Sequence, residues 1–425
     1  MQFVKATASR SKSLRVAIAG VAVLGTAALV LSGCAASTGG SSTTSKTLDL
    51  KIGTILPQTG SLATLGPAAI EASNMAVADI NKANQGIKLS IIQKDSGDTS
   101  TNIATQSVTS LLASGVTAIL GAESSSTSLT VIDQISKAGV VMFSPANTSP
   151  AFSTYADNGF YWRTAPSDVL QGKVLGQKVL KDGATNVAII YQNDSYGGGL
   201  DTNVKKAIEA GGGTVTANIA FDTAATDFTT QISQALATKP DALVVISFDQ
   251  IKTIAQELAT TGFDFKKFYG TDGNFGVIDP SYTNADIAGA QFTNPGVNVT
   301  GDFKTRLDAF TAAAGDKALT AYSYAPESYD AIVLLALAAL QGGATDGTTL
   351  KKNLQSVSET GTKCTTFTDC AKLIAQKKDI NYDGLSGPIT FAANGDPQQA
   401  YISIYKYTTG NKYEFETSEF GDLSK

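Results

Sequence analysis

The sequence predicts an α/β fold built as two lobes, each a parallel-rich sheet flanked by helices. Short apolar runs alternate with amphipathic stretches from Leu48 onward, as strands do when joined by crossover helices. The alternation comes in two successive runs, one before Ser167 and one after it. The 425 residues, 43% hydrophobic and 16% charged, supply two or three domains with sizeable cores.

The first run opens on a strand: Leu48, Leu50 and Ile52 alternate, and Thr54-Ile-Leu56 completes it. Gly66-Pro67 starts a helix, with Pro tolerated in the first turn. Ile70, Val77 and Ile80 share its face, and Gly86 is the expected stop. Ile87, Leu89 and Ile91 form the next strand. Ile103, Val108, Leu111 and Leu112 mark a helix closed by Gly115. The strand Thr117-Ala-Ile-Leu120 then leads into "GAESSSTS", a helix carrying Leu129, Ile132 and Ile135, and the strand Val140-Val-Met-Phe143. In the second run Ser167 caps a helix with Leu170, Val174 and Leu180. Val187–Tyr191 is a buried strand, and Leu200, Val204 and Ile208 mark a helix. "GTVTANIAF", "DFTTQISQALAT", "ALVVIS" and "DQIKTIAQELATTG" continue the alternation to "KKFYGTDG". "AYSYAPESYDAIVLLALAALQGG" reads as a long helix. Glu327 and Asp330 interrupt it, so a buried core helix is expected rather than a membrane span.

The composition removes several function classes. The 32 basic and 37 acidic residues form no basic block, so nucleic acid is not an expected partner. There is no histidine, which excludes Ser-His-Asp and Cys-His catalysis. Three cysteines cannot build an all-cysteine zinc site. No metal or cofactor is expected, and no G-x-S-x-G elbow points to an enzyme.

The N-terminus reads as an export signal over residues 1–33. Lys5, Arg10, Lys12 and Arg15 precede the apolar stretch Val16–Leu31. A membrane anchor is the alternative, but the stretch is at the short edge of the ~17 residues a span needs. Residues 34–47, rich in Gly, Ser and Thr, read as a flexible tether. In an exported chain Cys364 and Cys370 are expected to pair across "CTTFTDC", with two free thiols as the alternative. Their spacing is not C-x-x-C.

In open α/β sheets, ligands sit at the carboxyl ends of strands. The loops there read "PQTGSLATLG", "GAESSSTS", "SPANTSP", "QNDSYGGG", "SFDQ" and "GTDGNFG". Taken alone, the Ser run has two readings. One is helix capping in a solvated loop; the other is an anion site built from hydroxyls and helix N–H groups.

The order and spacing of "GTILPQTGSLATLG", "AVADIN", "ILGAESSSTS", "GVVMFSPANTSPAFS", "YWRTAPSDVLQG", "YQNDSYGGGL", "FYGTDG", "YDAIVLLALAAL" and "GPITFAANGDP" resemble the type I periplasmic binding proteins of the leucine/isoleucine/valine branch. The end of the leader, Leu31-Ser32-Gly33-Cys34, resembles the bacterial lipoprotein signal, which implies acylation at Cys34. The resemblance implies a two-lobed Venus-flytrap with three interlobe crossings. One lobe would take 48–166 and 296–400, the other 167–295 and 401–425. It implies a monomeric extracytoplasmic receptor, held to the outer face of the membrane through its lipid only. The receptor would deliver an amino acid, of branched-chain type or related, to the permease of an ABC importer. Receptors of the family that bind amides, urea or other small organic solutes, and sensory receptors of the same fold, are the alternatives.

By that resemblance Ser125 holds the ligand carboxylate. Ala146 contributes a backbone carbonyl and Thr148 a hydroxyl. Tyr196 and Phe248 are aromatic walls, and Asp272 takes the ammonium. Three positions depart from the amino-acid binders: Leu65 stands where an aromatic residue is common, Phe248 where Tyr is, and Asp272 where Glu is. The residue types suit a zwitterion without the family, with donors for the anion and a lone carboxylate for the cation. Asp272-Gly273 also reads as a simple turn. Glu123 is expected to point outward, because inside the site it would repel a carboxylate.

Overall fold

A computed structural model of the chain describes residues 47–424. The leader 1–33, Cys34 and all of the tether but its last residue lie outside these described residues.

Two sheets organise the two lobes. The first contains β1 (Leu48–Leu56), β2 (Ile87–Asp95), β3 (Ala118–Gly121), β4 (Val141–Ser144) and β5 (Tyr161–Arg163). Its order is β2-β1-β3-β4-β5 and every pair is parallel. In β1 the outer residues alternate between buried and exposed, and from Ile52 onward every residue is buried. This is the change expected as a strand runs beneath helices on both faces. The second sheet starts with β6 (Asn186–Gln192), β7 (Thr214–Phe221), β8 (Ala242–Ile246), β9 (Phe268–Gly270) and β10 (Gln291–Pro295). A small third sheet holds β11 (Thr362–Cys364), β12 (Ile380–Gly384) and β13 (Gly387–Pro388). The chain then returns to the second sheet through β14 (Gln399–Thr408) and β15 (Lys412–Asp422), giving the order β15-β14-β10-β9-β8-β6-β7. The last two strands are antiparallel.

Local chemistry sets the helix ends. The helix Gly66–Ala83 carries Pro67 in its first turn, as expected. It stops earlier than the glycine reading: Asn84 adopts the left-handed cap with φ 51°, and Gly86 follows in the turn to β2. Asn tolerates that conformation because its short polar side chain can bond locally. The helix Asp168–Lys181 is capped by Ser167, whose hydroxyl accepts from the Val169 N–H at 3.4 Å.

The apolar segment Ala325–Gly342 is one helix buried from Ala325 to Ala339. It packs in the core of the first lobe with Leu50, Leu120 and Phe143. Among the described residues no single helix is long and apolar enough to cross a membrane. Only a bent pair, this helix with Gly347–Glu359, meets that measure together. A disulfide joins Cys364 and Cys370, as the spacing suggested.

A further apolar cluster crosses from lobe to lobe. It holds Leu62, Leu65, Ala146 and Tyr324 together with Tyr196, Phe248 and the β6 and β8 core. The candidate site lies at this junction.

Candidate functional site

The hydroxyl run after β3 divides into separate tasks. Ser124 caps the helix Ser125–Lys137 by accepting from the Thr127 N–H at 3.3 Å. Ser128 donates to the Ala122 carbonyl at 3.2 Å, which also accepts from Ser144 at 2.8 Å and Asn147 at 3.1 Å. Ser126 turns toward the second lobe, donating to Asp194 at 3.0 Å and accepting from the Ser195 N–H at 3.1 Å. Ser125 faces the interior, where its hydroxyl accepts from the Ser149 N–H at 3.3 Å. The capping reading of the run is seen at Ser124, and Ser125 is left on the inner side of the loop.

A small inner pocket lies at the carboxyl ends of strands from both sheets. Leu62, Leu65, Glu123, Ser125, Ala146 and Tyr324 line it together with Tyr196, Phe248, Asp272 and Gly273. Of the seven candidate ligand residues, six meet there: Leu65, Ser125, Ala146, Tyr196, Phe248 and Asp272. Thr148 is not on the lining. It is buried beside the pocket, and its carbonyl accepts from the Asp168 N–H at 2.8 Å. The free volume is about 10 Å³, room for about one water molecule.

Asp272 is held from three sides. Gln171 donates to its Oδ1 at 2.8 Å, the Tyr196 hydroxyl to the same oxygen at 2.7 Å, and the Tyr324 hydroxyl to Oδ2 at 2.6 Å. Burial raises its carboxyl above the ordinary range, and those three bonds oppose the rise without cancelling it. Asp168, fully buried, is pushed well above the ordinary range by burial and then by Asp272. Tyr196 stacks on Phe248 with ring centres 5.2 Å apart. The two rings form a flat wall, and a side chain at Gly273 would collide with Phe248.

Glu123 does not point outward. It lines the pocket at 3% exposure, and neither carboxyl oxygen has a hydrogen-bond partner among the described residues. Burial pushes it up to about 8. Its orientation follows from the main chain: Asn147 donates to the Glu123 carbonyl at 2.8 Å and to the Ala122 carbonyl, which fixes the loop with that side chain inward.

Leu62 on the lining and Gln171 beside Asp272 escaped the sequence reading, as did Tyr324 and Arg163. Tyr324 precedes the apolar helix with φ 61° and reaches Asp272 across 52 positions of sequence. Arg163, at the end of β5, is fully buried. It donates to Asp396 at 2.7 Å, to the carbonyls of Asn147 and Ser149 at 3.1 and 2.9 Å, and to Ser153 at 3.1 Å. It thereby holds the loop that carries Ala146 and Thr148. Neither Tyr324 nor Arg163 has a local pattern that marks such a role.

Phe248 also borders a wider outer cavity of about 580 Å³, lined in part by Ser61, Asp98, Asp194, Asp249 and Gln250. Neither lining contains a lysine or arginine.

The sequence profile of the family described as "Periplasmic binding protein" matches residues 49–411. The Leu/Ile/Val-binding protein BraC3 of Rhizobium johnstonii is 24% identical over 380 residues, covering 85% of this chain and 92% of that protein. Several other curated relatives match over about half their own length. Among solved structures, the branched-chain amino acid transporter substrate binding protein LivJ from Streptococcus pneumoniae, in complex with isoleucine, superposes with a TM-score of 0.70. It is 23% identical, over 88% of this chain and 99% of that one. An ABC transporter solute binding protein from R. palustris, in complex with 4-hydroxybenzoate, superposes with a TM-score of 0.72. It is 16% identical, over 88% of this chain and 98% of that one.

Proposed function

The chain belongs to the periplasmic binding protein family, which comprises solute-binding proteins rather than enzymes, and from that premise we propose that it is a lipid-anchored extracytoplasmic receptor feeding an amino acid to an ABC importer. The observation that carries this reading is the convergence of Asp272 and Ser125, from different sheets, on one pocket. Asp272, held by Gln171, Tyr196 and Tyr324, takes the ligand ammonium. Ser125 and the first-turn N–H groups of its helix take the carboxylate. Leu62, Leu65, Tyr196 and Phe248 exclude water around the body of the ligand. The relatives' printed names, among them a Leu/Ile/Val-binding protein and an isoleucine complex, support an amino acid.

In this account the lobes are 48–166 with 296–400, and 167–295 with 401–425, closing about the ligand by a hinge motion. The motif Leu31-Ser32-Gly33-Cys34 supports an acylated Cys34. A thermal-shift screen of the purified chain against amino acids, amides, urea and small acids tests the ligand class. A shift with an α-amino acid that is lost in Asp272→Ala supports the reading. A shift with amides or urea alone replaces it with a neutral-solute receptor.

A further inference from the structure

We infer that Glu123 is a second ligand-contacting acid, and that the site takes a cationic amino acid, one whose side chain ends in an amino or guanidino group. This rests on the amino-acid receptor reading and names its substrate class.

Glu123 is 3% exposed, lines the same pocket as Asp272, and leaves both carboxyl oxygens without a partner. A buried carboxyl without a partner is costly, and natural proteins keep such groups where a ligand or a proton satisfies them. Asp272 is already bonded to Gln171, Tyr196 and Tyr324. Glu123 instead has both carboxyl oxygens unpartnered and facing the pocket.

Charge selects the ligand. The inner lining carries Glu123 and Asp272 and no basic side chain, and Asp168 is buried behind Asp272. Arg163, the basic group fixing the adjacent loop, spends its donors on Asp396, Ser153 and two carbonyls. A neutral zwitterion that meets Asp272 through its ammonium brings no second cation to Glu123. A second cationic end answers it. The outer cavity, which shares Phe248 with the pocket, has the same sign, since Asp98, Asp194 and Asp249 line it, and a cavity of one sign concentrates counter-ions. The competing arrangement is a protonated Glu123 that donates to the carboxylate of a leucine-like ligand.

Calorimetric titration of the purified full chain with L-arginine, L-lysine and L-leucine separates these cases. L-arginine or L-lysine binds about tenfold or more tightly than L-leucine, and Glu123→Gln loses about that factor for the cation while Asp272→Asn weakens all three. If L-leucine binds more tightly than both cations, or Glu123→Gln leaves the cation's affinity unchanged, the assignment is overturned. Should Glu123→Gln not fold, the wild-type preference alone decides in the same way. Leucine binding that needs Asp272 but not Glu123 keeps the amino-acid receptor and removes this inference. Binding of none of the three removes both.

Discussion

The Tyr324 hydroxyl donates to Oδ2 of Asp272 at 2.6 Å, joining the segment that leads into the core helix of the first lobe to the carboxylate at the end of β9 in the second. One hydrogen bond thus couples the proposed ammonium acceptor to the opposite wall of the cleft. Burial and Asp272 raise the Tyr324 phenol well above its ordinary range, so it remains a donor at neutral pH.

Removing that donor leaves a buried carboxylate short of a partner. Tyr324→Phe is expected to destabilise the chain by about 1–3 kcal/mol, read as a lower urea midpoint with an unchanged slope. It should also weaken amino-acid binding, because Asp272 loses one of its three fixing bonds. Unchanged stability and affinity together would show that the bond carries neither.

Arg163 is the stiffener of the loop bearing Ala146. Arg163→Leu removes the donor to Oδ1 of Asp396, whose Oδ2 keeps Ser153, and leaves two buried backbone carbonyls without the guanidinium. Breaking one partner of a buried pair costs about 3–5 kcal/mol. Equilibrium unfolding checks this, and a loss under about 1 kcal/mol would mean that water or a rearranged loop replaces the guanidinium.

Glu123 predicts a pH dependence of the unliganded chain. Its folded value, about 8, lies above the ordinary 4.5. The folded state therefore binds the extra proton between those values, and stability falls as pH rises through that window. Glu327, buried and also raised to about 8, acts in the same direction. Glu123→Gln should flatten part of the decline between pH 5 and 8, leaving the shares of Glu327 and of other raised carboxyls such as Asp168. An identical pH profile in the variant would mean that Glu123 is hydrated in solution.

Cys34→Ser in the full chain is expected to release the protein from membranes and abolish lipid labelling. Labelling that persists would place the anchor elsewhere.

Much of the architecture was legible in the sequence, because strand and helix periods are local signals. The alternation through "ILGAESSSTS" to "GVVMFS" foretold β3, the helix Ser125–Lys137 and β4. Six candidate residues met in one pocket because each stands just beyond a strand end or near one, where open α/β sheets gather their loops. What stayed hidden depends on distant contacts. The Tyr324 bond spans 52 positions, and the Arg163–Asp396 pair spans 233. Glu123 was misjudged for the same reason. Its inward turn is set by Asn147, 24 residues away, bonding the main chain of its loop. The stop of the first helix at Asn84 shows a smaller limit, where two residues could each take the left-handed cap.

The central claim is that Asp272 captures a ligand ammonium in the interlobe pocket. Calorimetric titration of the wild-type chain and of Asp272→Ala, with whichever amino acid shifts the melting temperature most, tests it directly. Saturable binding is expected in the wild type and a loss of about a hundredfold or more in Asp272→Ala, the scale of a buried charge-assisted contact. Affinity in Asp272→Ala within about twofold of wild type would contradict it and leave Asp272 as a structural partner of Tyr196 and Tyr324 alone.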